Sequence, residues 1–211
     1  MLAQNNQKNR GDTLIEVLFA VAVFSFIAVG GLSIMNQGMA TSQRALEISL
    51  VRNEIDSQAE TLRFLNASYV SAYQTGVNYS ADTPAGQWSI ITSNLATTDN
   101  ASDFSMSICP SSSASLRSNS FILNTRSAKV LSLSATNFES AKTFSQVIYN
   151  NKQVSIADGV WIEAVKSNNV VGNNQSNSGY IDFNIRACWD SPGQKMPVTI
   201  GTIVRLYEPR G

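Results

Sequence analysis

Three patterns of apolar and polar residues follow one another along the chain. After a short, mostly polar leader, Val17 to Gln43 carries no charged residue. Val17–Met35 alone supplies about the 20 apolar residues needed to cross a hydrocarbon core. The next stretch, MATSQRALEISLVRNEIDSQAETLRFL (39–65), has neither Pro nor Gly. In it Leu46, Leu50, Ile55, Leu62 and Leu65 recur at roughly helical spacing, and Ile48 and Val51 widen the stripe. Arg44, Glu47, Arg52, Glu54, Asp56, Glu60 and Arg63 fill the other faces. The two stretches together predict one helix of about 50 residues, about 80 Å long at about 1.5 Å per residue. Residues 44–66 form its amphipathic part, which is expected to pack on whatever sheet follows. Gly30, Gly31 and Gly38 are weak points, each costing about 1 kcal/mol relative to Ala. The helix is expected to loosen near 30–38; close packing of small residues is the alternative.

The third pattern, residues 67–211, is β-rich. Residues 67–103 read as a loop region with Trp88–Ile91 as a short strand, and PSSSASLRSNS (110–120) as an exposed loop. Strand-like runs follow at Phe121–Asn124, Lys129–Ser134, Thr143–Tyr149, Gln153–Ala157, Val160–Val165, Tyr180–Cys188 and Val198–Tyr207. NNKQ (150–153) and ADG (157–159) are turn signals, and GNNQSNSG (172–179) is a longer loop. The expected fold class is therefore α+β: a long N-terminal helix packed on a mostly antiparallel sheet.

Composition narrows the chemistry. The chain has 211 residues, with 15 basic against 15 acidic, so no net charge favours nucleic acid or an acidic ligand. Arg117, Arg126, Lys129 and Lys142 are dispersed rather than clustered, and there is no clear nucleic-acid site. The absence of histidine excludes Ser-His catalysis and removes the commonest zinc ligand. Asp182, Glu163 and Glu139 are isolated acids with no paired-carboxylate spacing, and no phosphate-cradling glycine loop is present. Asp99, Asn100 and Asp103 are far from an EF-hand pattern and read as a solvated turn. The expectation is a non-enzyme without cofactor or metal. Cys109 and Cys188 are too few for a structural zinc site. They form either one disulfide, which export would favour, closing a loop of about 80 residues for about 4 kcal/mol, or two buried thiols.

Lys8 and Arg10 precede the apolar run and Arg44 follows it, so the N-terminus is expected in the cytoplasm and residues 44–211 outside. Three readings fit: a retained signal anchor, an ordinary signal peptide cut near Gly31 or Thr41, or a cut before the apolar run, after Gly11. Thr13-x-x-Glu16 also fits a capping box, with Asp12 at the positive end of the helix.

Lys8, Arg10, Gly11, one residue, Thr13-Leu14-Ile15-Glu16 and the long uncharged span together resemble a type IV prepilin. The resemblance covers residues 8 to about 65. It implies a leader of residues 1–11, cleaved after Gly11 by a membrane prepilin peptidase. It also implies Asp12 as the new, N-methylated first residue. Residues 12–43 would be the membrane and filament-core half of the helix, 44–66 the half that packs on the head, and 67–211 an extracytoplasmic globular head. Glu16 becomes the fifth residue of the mature chain. A carboxylate within the membrane costs about 2.5–3.5 kcal/mol, and the family offsets this by pairing it with the terminal amine of a neighbouring subunit. Two positions depart from the pattern: Asp12 stands where the family usually has Phe, next to the amine that Glu16 would meet, and Ser33 stands near the proline of many major pilins. Pilin disulfides also usually enclose a shorter loop nearer the C-terminus than Cys109–Cys188. Removing the leader takes away Lys8 and Arg10, leaving 13 basic against 15 acidic residues and a net charge of −2. Arg10-Gly11-Asp12 also spells an integrin-binding tripeptide, which the predicted cut divides.

The expected function is a minor pilin or pseudopilin, a single-pass precursor in the cytoplasmic membrane that moves into an extracellular pilus or pseudopilus. Its partners would be other pilin subunits, the peptidase and the assembly machinery. The alternatives are a tip adhesin whose loops 110–120 and 168–179 contact a surface or glycan, and a protein secreted by ordinary signal cleavage.

Overall fold

The computed structural model describes residues 12–74, 76–93, 108–166, 179–191 and 193–209. Lys8, Arg10, Gly11, the Asp99–Asp103 segment and most of the 168–179 loop lie outside these residues. The chain divides into two units, Met1–Ala45 and Leu46–Gly211. Helix α1 (Asp12–Ala72) begins in the first and ends in the second.

In the first unit α1 is regular throughout, with no break at Gly30, Gly31 or Gly38, and a Cβ at any of them would meet nothing within 4 Å. The expected loosening is not seen. Every residue from Leu14 to Ala45 is solvent-facing in the single chain. An 18-residue window of the helix has a mean hydropathy of 2.5 with none of it buried, so the helix is long and apolar enough to cross a membrane. Ser25 Oγ donates to the Val21 carbonyl and Thr41 Oγ1 to the Gln37 carbonyl, each at 2.8 Å. These hydroxyls thus satisfy themselves on their own helix.

The second unit is α+β. Its main sheet has the order β2 (Lys129–Ser132), β1 (Phe121–Asn124), β6 (Val160–Lys166), β7 (Tyr180–Trp189), β8 (Val198–Tyr207), with every pairing antiparallel. A second sheet has the order β3 (Phe138–Glu139), β5 (Gln153–Asp158), β4 (Gln146–Asn150), with β3 parallel to β5. Sequence reading had one sheet and missed β3, which is too short to show alternation. Asn151 (φ 47°) and Lys152 (φ 66°) form the tight turn between β4 and β5. Gly159 (φ 65°) turns the chain from β5 in one sheet into β6 in the other.

Register assigns the faces. Ile162 pairs with Ile185, Ala164 with Phe183 and Phe183 with Val204, all on one face. The buried side of α1 (Val51, Ile55, Ala59, Leu62, Leu65) joins these residues in one core. On the other face Trp161 meets Phe138 of the small sheet edge-to-face, with centroids 6.2 Å apart. Two positions of the expected stripe are corrected. Leu46 and Leu50 are exposed, because the line facing the sheet runs through Val51 instead.

Two further expectations for 67–103 are overturned. Residues 67–72 continue α1, and Trp88–Ile91 belongs to a helix, α2 (Pro84–Ser93), not a strand. Thr83 Oγ1 accepts the Gly86 N–H at 3.1 Å, and Pro84 holds the first helical position. A Cβ on Gly86 would overlap the Ser80 carbonyl, so this entry requires glycine. The loop at 110–120 contains a single 3-10 turn, Ser113–Ser115.

Candidate functional site

Of the residues singled out for processing and assembly, Asp12 and Glu16 lie in the first described turns of α1. Thr13 is already helical, inside the helix rather than before it, and Glu16 is one turn on from Asp12. Glu16 is exposed at the entrance to the uncharged run and makes no ion pair among the described residues. Beyond it Phe19, Phe24, Phe26, Ile27 and Ile34 point outward, Phe26 with 80% of its surface open. No described residue covers this apolar surface, and an exposed patch of this size marks an interaction surface.

The two cysteines are joined. Cys109 and Cys188 are buried, with Cα atoms 5.5 Å apart across a sequence separation of 79. The alternative of two buried thiols is thereby set aside.

Glu163, Asp182 and Glu139 each sit with separate partners. Glu163 accepts the Trp161 indole N–H at 2.9 Å and lies 3.6 Å from Arg186, both partners buried. Asp182 takes a two-pronged hydrogen bond from Arg205 at 2.7 Å, which raises the pKa of that guanidinium. Glu139 lies opposite Asp158, whose pKa is raised by burial, then by the Glu139 charge, against the lowering effect of Lys142. Arg126 stacks over Tyr149 at 4.1 Å, and Lys129 pairs with Asp82 at 3.1 Å.

Three structural residues escaped sequence reading. Glu47 Oε2 accepts the Trp189 indole N–H at 3.1 Å and the Ser191 hydroxyl at 2.7 Å, tying α1 to the end of β7. Gln58 is fully buried and bonds both backbone groups of Leu123 at 3.0 Å. Tyr79 caps the end of α1: its hydroxyl donates to the Ala72 carbonyl at 2.7 Å and accepts the Gln74 N–H at 2.9 Å. Only Glu47 and Gln58 left a trace in the sequence, as polar positions beside an apolar stripe.

No family model, curated protein or solved structure matches the chain.

Proposed function

We propose that the chain is a type IV pilin-like subunit, a minor pilin or pseudopilin, whose work is assembly through its N-terminal helix. On this reading the precursor sits in the cytoplasmic membrane with Lys8 and Arg10 inside. The peptidase cuts after Gly11, Asp12 becomes the methylated terminus, and Glu16 docks on the terminal amine of a neighbouring subunit. One observation carries the reading. α1, described from Asp12 on, sets Glu16 outward and continues through an apolar run with no buried residue. Such a surface demands lipid before assembly and other helices after it. A carboxylate at its entrance lowers its own cost by meeting a cation, more strongly in lipid than in water.

The mature N-terminus tests the processing step. Mass spectrometry of the native protein should find Asp12 first, heavier by one methyl group. A start near Gly31 or Thr41 would instead make the protein an ordinary secreted one. Glu16→Ala tests the docking step. Filament incorporation should fall about tenfold or more, a loss of about 1.4 kcal/mol per decade. Unchanged incorporation would remove the salt bridge from the account.

A further inference from the structure

The five-stranded sheet ends differently on its two sides. At the β2 edge, α2 closes the ladder: Gln87 Oε1 accepts the Val130 N–H at 2.7 Å. At the other edge, β8 runs in unbroken register with β7 from Val198 to Tyr207. It has no proline or bulge, and its one charge, Arg205, is held by Asp182 at 2.7 Å, so the devices that usually protect such an edge are few.

The ladder also shows which backbone groups face outward. Glu208 N–H donates to the Gly179 carbonyl at 2.9 Å, making that opposed pair a hydrogen-bonded one. Alternation along an antiparallel ladder then turns the N–H and C=O of Thr199, Gly201, Ile203, Arg205 and Tyr207 away from β7. An independent contact agrees: the Asn66 side chain donates to the Tyr207 carbonyl at 3.2 Å. Asn66 therefore caps the end of the edge. From Thr199 to Arg205 the outward groups have no backbone partner among the described residues.

Beside this open stretch, on the face away from α1, lies a cavity of about 530 Å³. Asn184, Ile185 and Arg186 line it from β7, and Gly201, Thr202 and Ile203 from β8; register puts Asn184, Arg186, Gly201 and Ile203 on the face away from α1. Gly201 puts no side chain into it, and Ile203 beside it has 66% of its surface exposed. The charges here are already matched, Arg186 with Glu163 at 3.6 Å and Arg205 with Asp182 at 2.7 Å.

We propose that β8 is a docking strand: an extended, uncharged peptide segment of another protein adds to its free edge and seats one apolar side chain in the cavity at Gly201. A row of alternating N–H and C=O groups is satisfied by another extended backbone. The residue of the added strand opposite Gly201 points its side chain to the same face as the cavity. The matched ion pairs offer nothing to a charged occupant. The inference stands apart from the filament reading, because unprocessed chain presents the same edge.

The full chain, in detergent micelles, is offered to a displayed library of random decapeptides, and the enriched sequences are resynthesised. Binders should be uncharged and extended, with one apolar side chain required. N-methylation of alternate backbone nitrogens should weaken them at least tenfold, while methylation at the intervening positions should not. Amide exchange at Thr199, Gly201, Ile203 and Arg205 should slow on binding. Ile203→Pro removes an outward N–H that the ladder with β7 does not use. It should weaken binding at least tenfold with little change in the thermal midpoint, and Ile203→Lys should do the same without altering the backbone. The proposal is overturned if no peptide exceeds a scrambled control, if both variants bind as well as wild type, or if methylation has no positional effect. It is also overturned if β8 pairs with a second copy, seen as a dimer in sedimentation that Ile203→Lys dissolves.

Discussion

Gln58 shows how one side chain can complete a sheet. β1 and β6 share a single register pair, Phe121 with Ile162, and then part. Leu123 is left with a buried N–H and C=O on the side where a strand should be. The Gln58 amide supplies both a donor and an acceptor there, each at 3.0 Å. Gln58→Ala orphans these groups and should cost about 1–3 kcal/mol for a buried unsatisfied polar group, read from urea midpoints. One turn earlier, Glu54 has its pKa raised above the ordinary 4.5 by burial, partly offset by the hydrogen bond from Gln58. An acid with a raised folded pKa contributes fully below its unfolded pKa, and that contribution is lost as pH rises through the folded value. Glu54→Gln should therefore match wild type near pH 3.5 and gain on it towards pH 7, because the carboxylate ionises first in the unfolded chain, at about pH 4.5, and only at higher pH in the folded one. A gain that instead grew on acidification would contradict burial as the cause.

At the scale of elements, each helix must turn an apolar line to the sheet. In the second unit the line on α1 is Val51, Ile55, Ala59, Leu62 and Leu65, with Gln58 set among them. Leu50 and Val51 are both apolar and sit about 100° apart on a helix, so periodicity allowed either, and the contacts chose Val51. Glu47 also fixes the choice, because its carboxylate takes the Trp189 and Ser191 hydrogens. The disulfide acts on this unit too, joining Cys188 in β7 to Cys109 across a separation of 79. Replacing both cysteines with serine should cost about 4 kcal/mol by the loop-entropy estimate. Guanidinium unfolding should show the deficit, and reductant should bring wild type to the level of the double variant.

At the scale of the molecule, the two units differ in what holds them. No residue from Leu14 to Ala45 is buried, whereas every buried core residue comes from Val51 or later. Removing residues 1–45 should therefore leave a folded, soluble 46–211. Its unfolding free energy should equal that of the full chain within about 0.5 kcal/mol, the range for changes at exposed positions. Near-UV circular dichroism and urea unfolding in aqueous buffer would check this. A molten spectrum would mean that the apolar stretch contributes to the core.

Much of this was legible beforehand. The uncharged run, the amphipathic stretch after it, seven of the eight strands and the turns at 150–153 and 157–159 follow from period and turn chemistry, which act within a few residues. The roles proposed for Gly11, Asp12 and Glu16 rest on the sequence alone, because a processing signal would be read from a local string of letters. Other features needed the folded chain. Trp88–Ile91 looked like a strand, but Thr83, Pro84 and Gly86 open a helix there, a local signal outweighed by the bulky apolar residues after it. Tertiary structure alone decided the partners of Glu47, Gln58 and Asn66, the division into two sheets, and the choice between disulfide and thiols. Each depends on groups dozens of residues apart meeting at hydrogen-bond or bonding distance, and one-dimensional periodicity carries no record of such meetings.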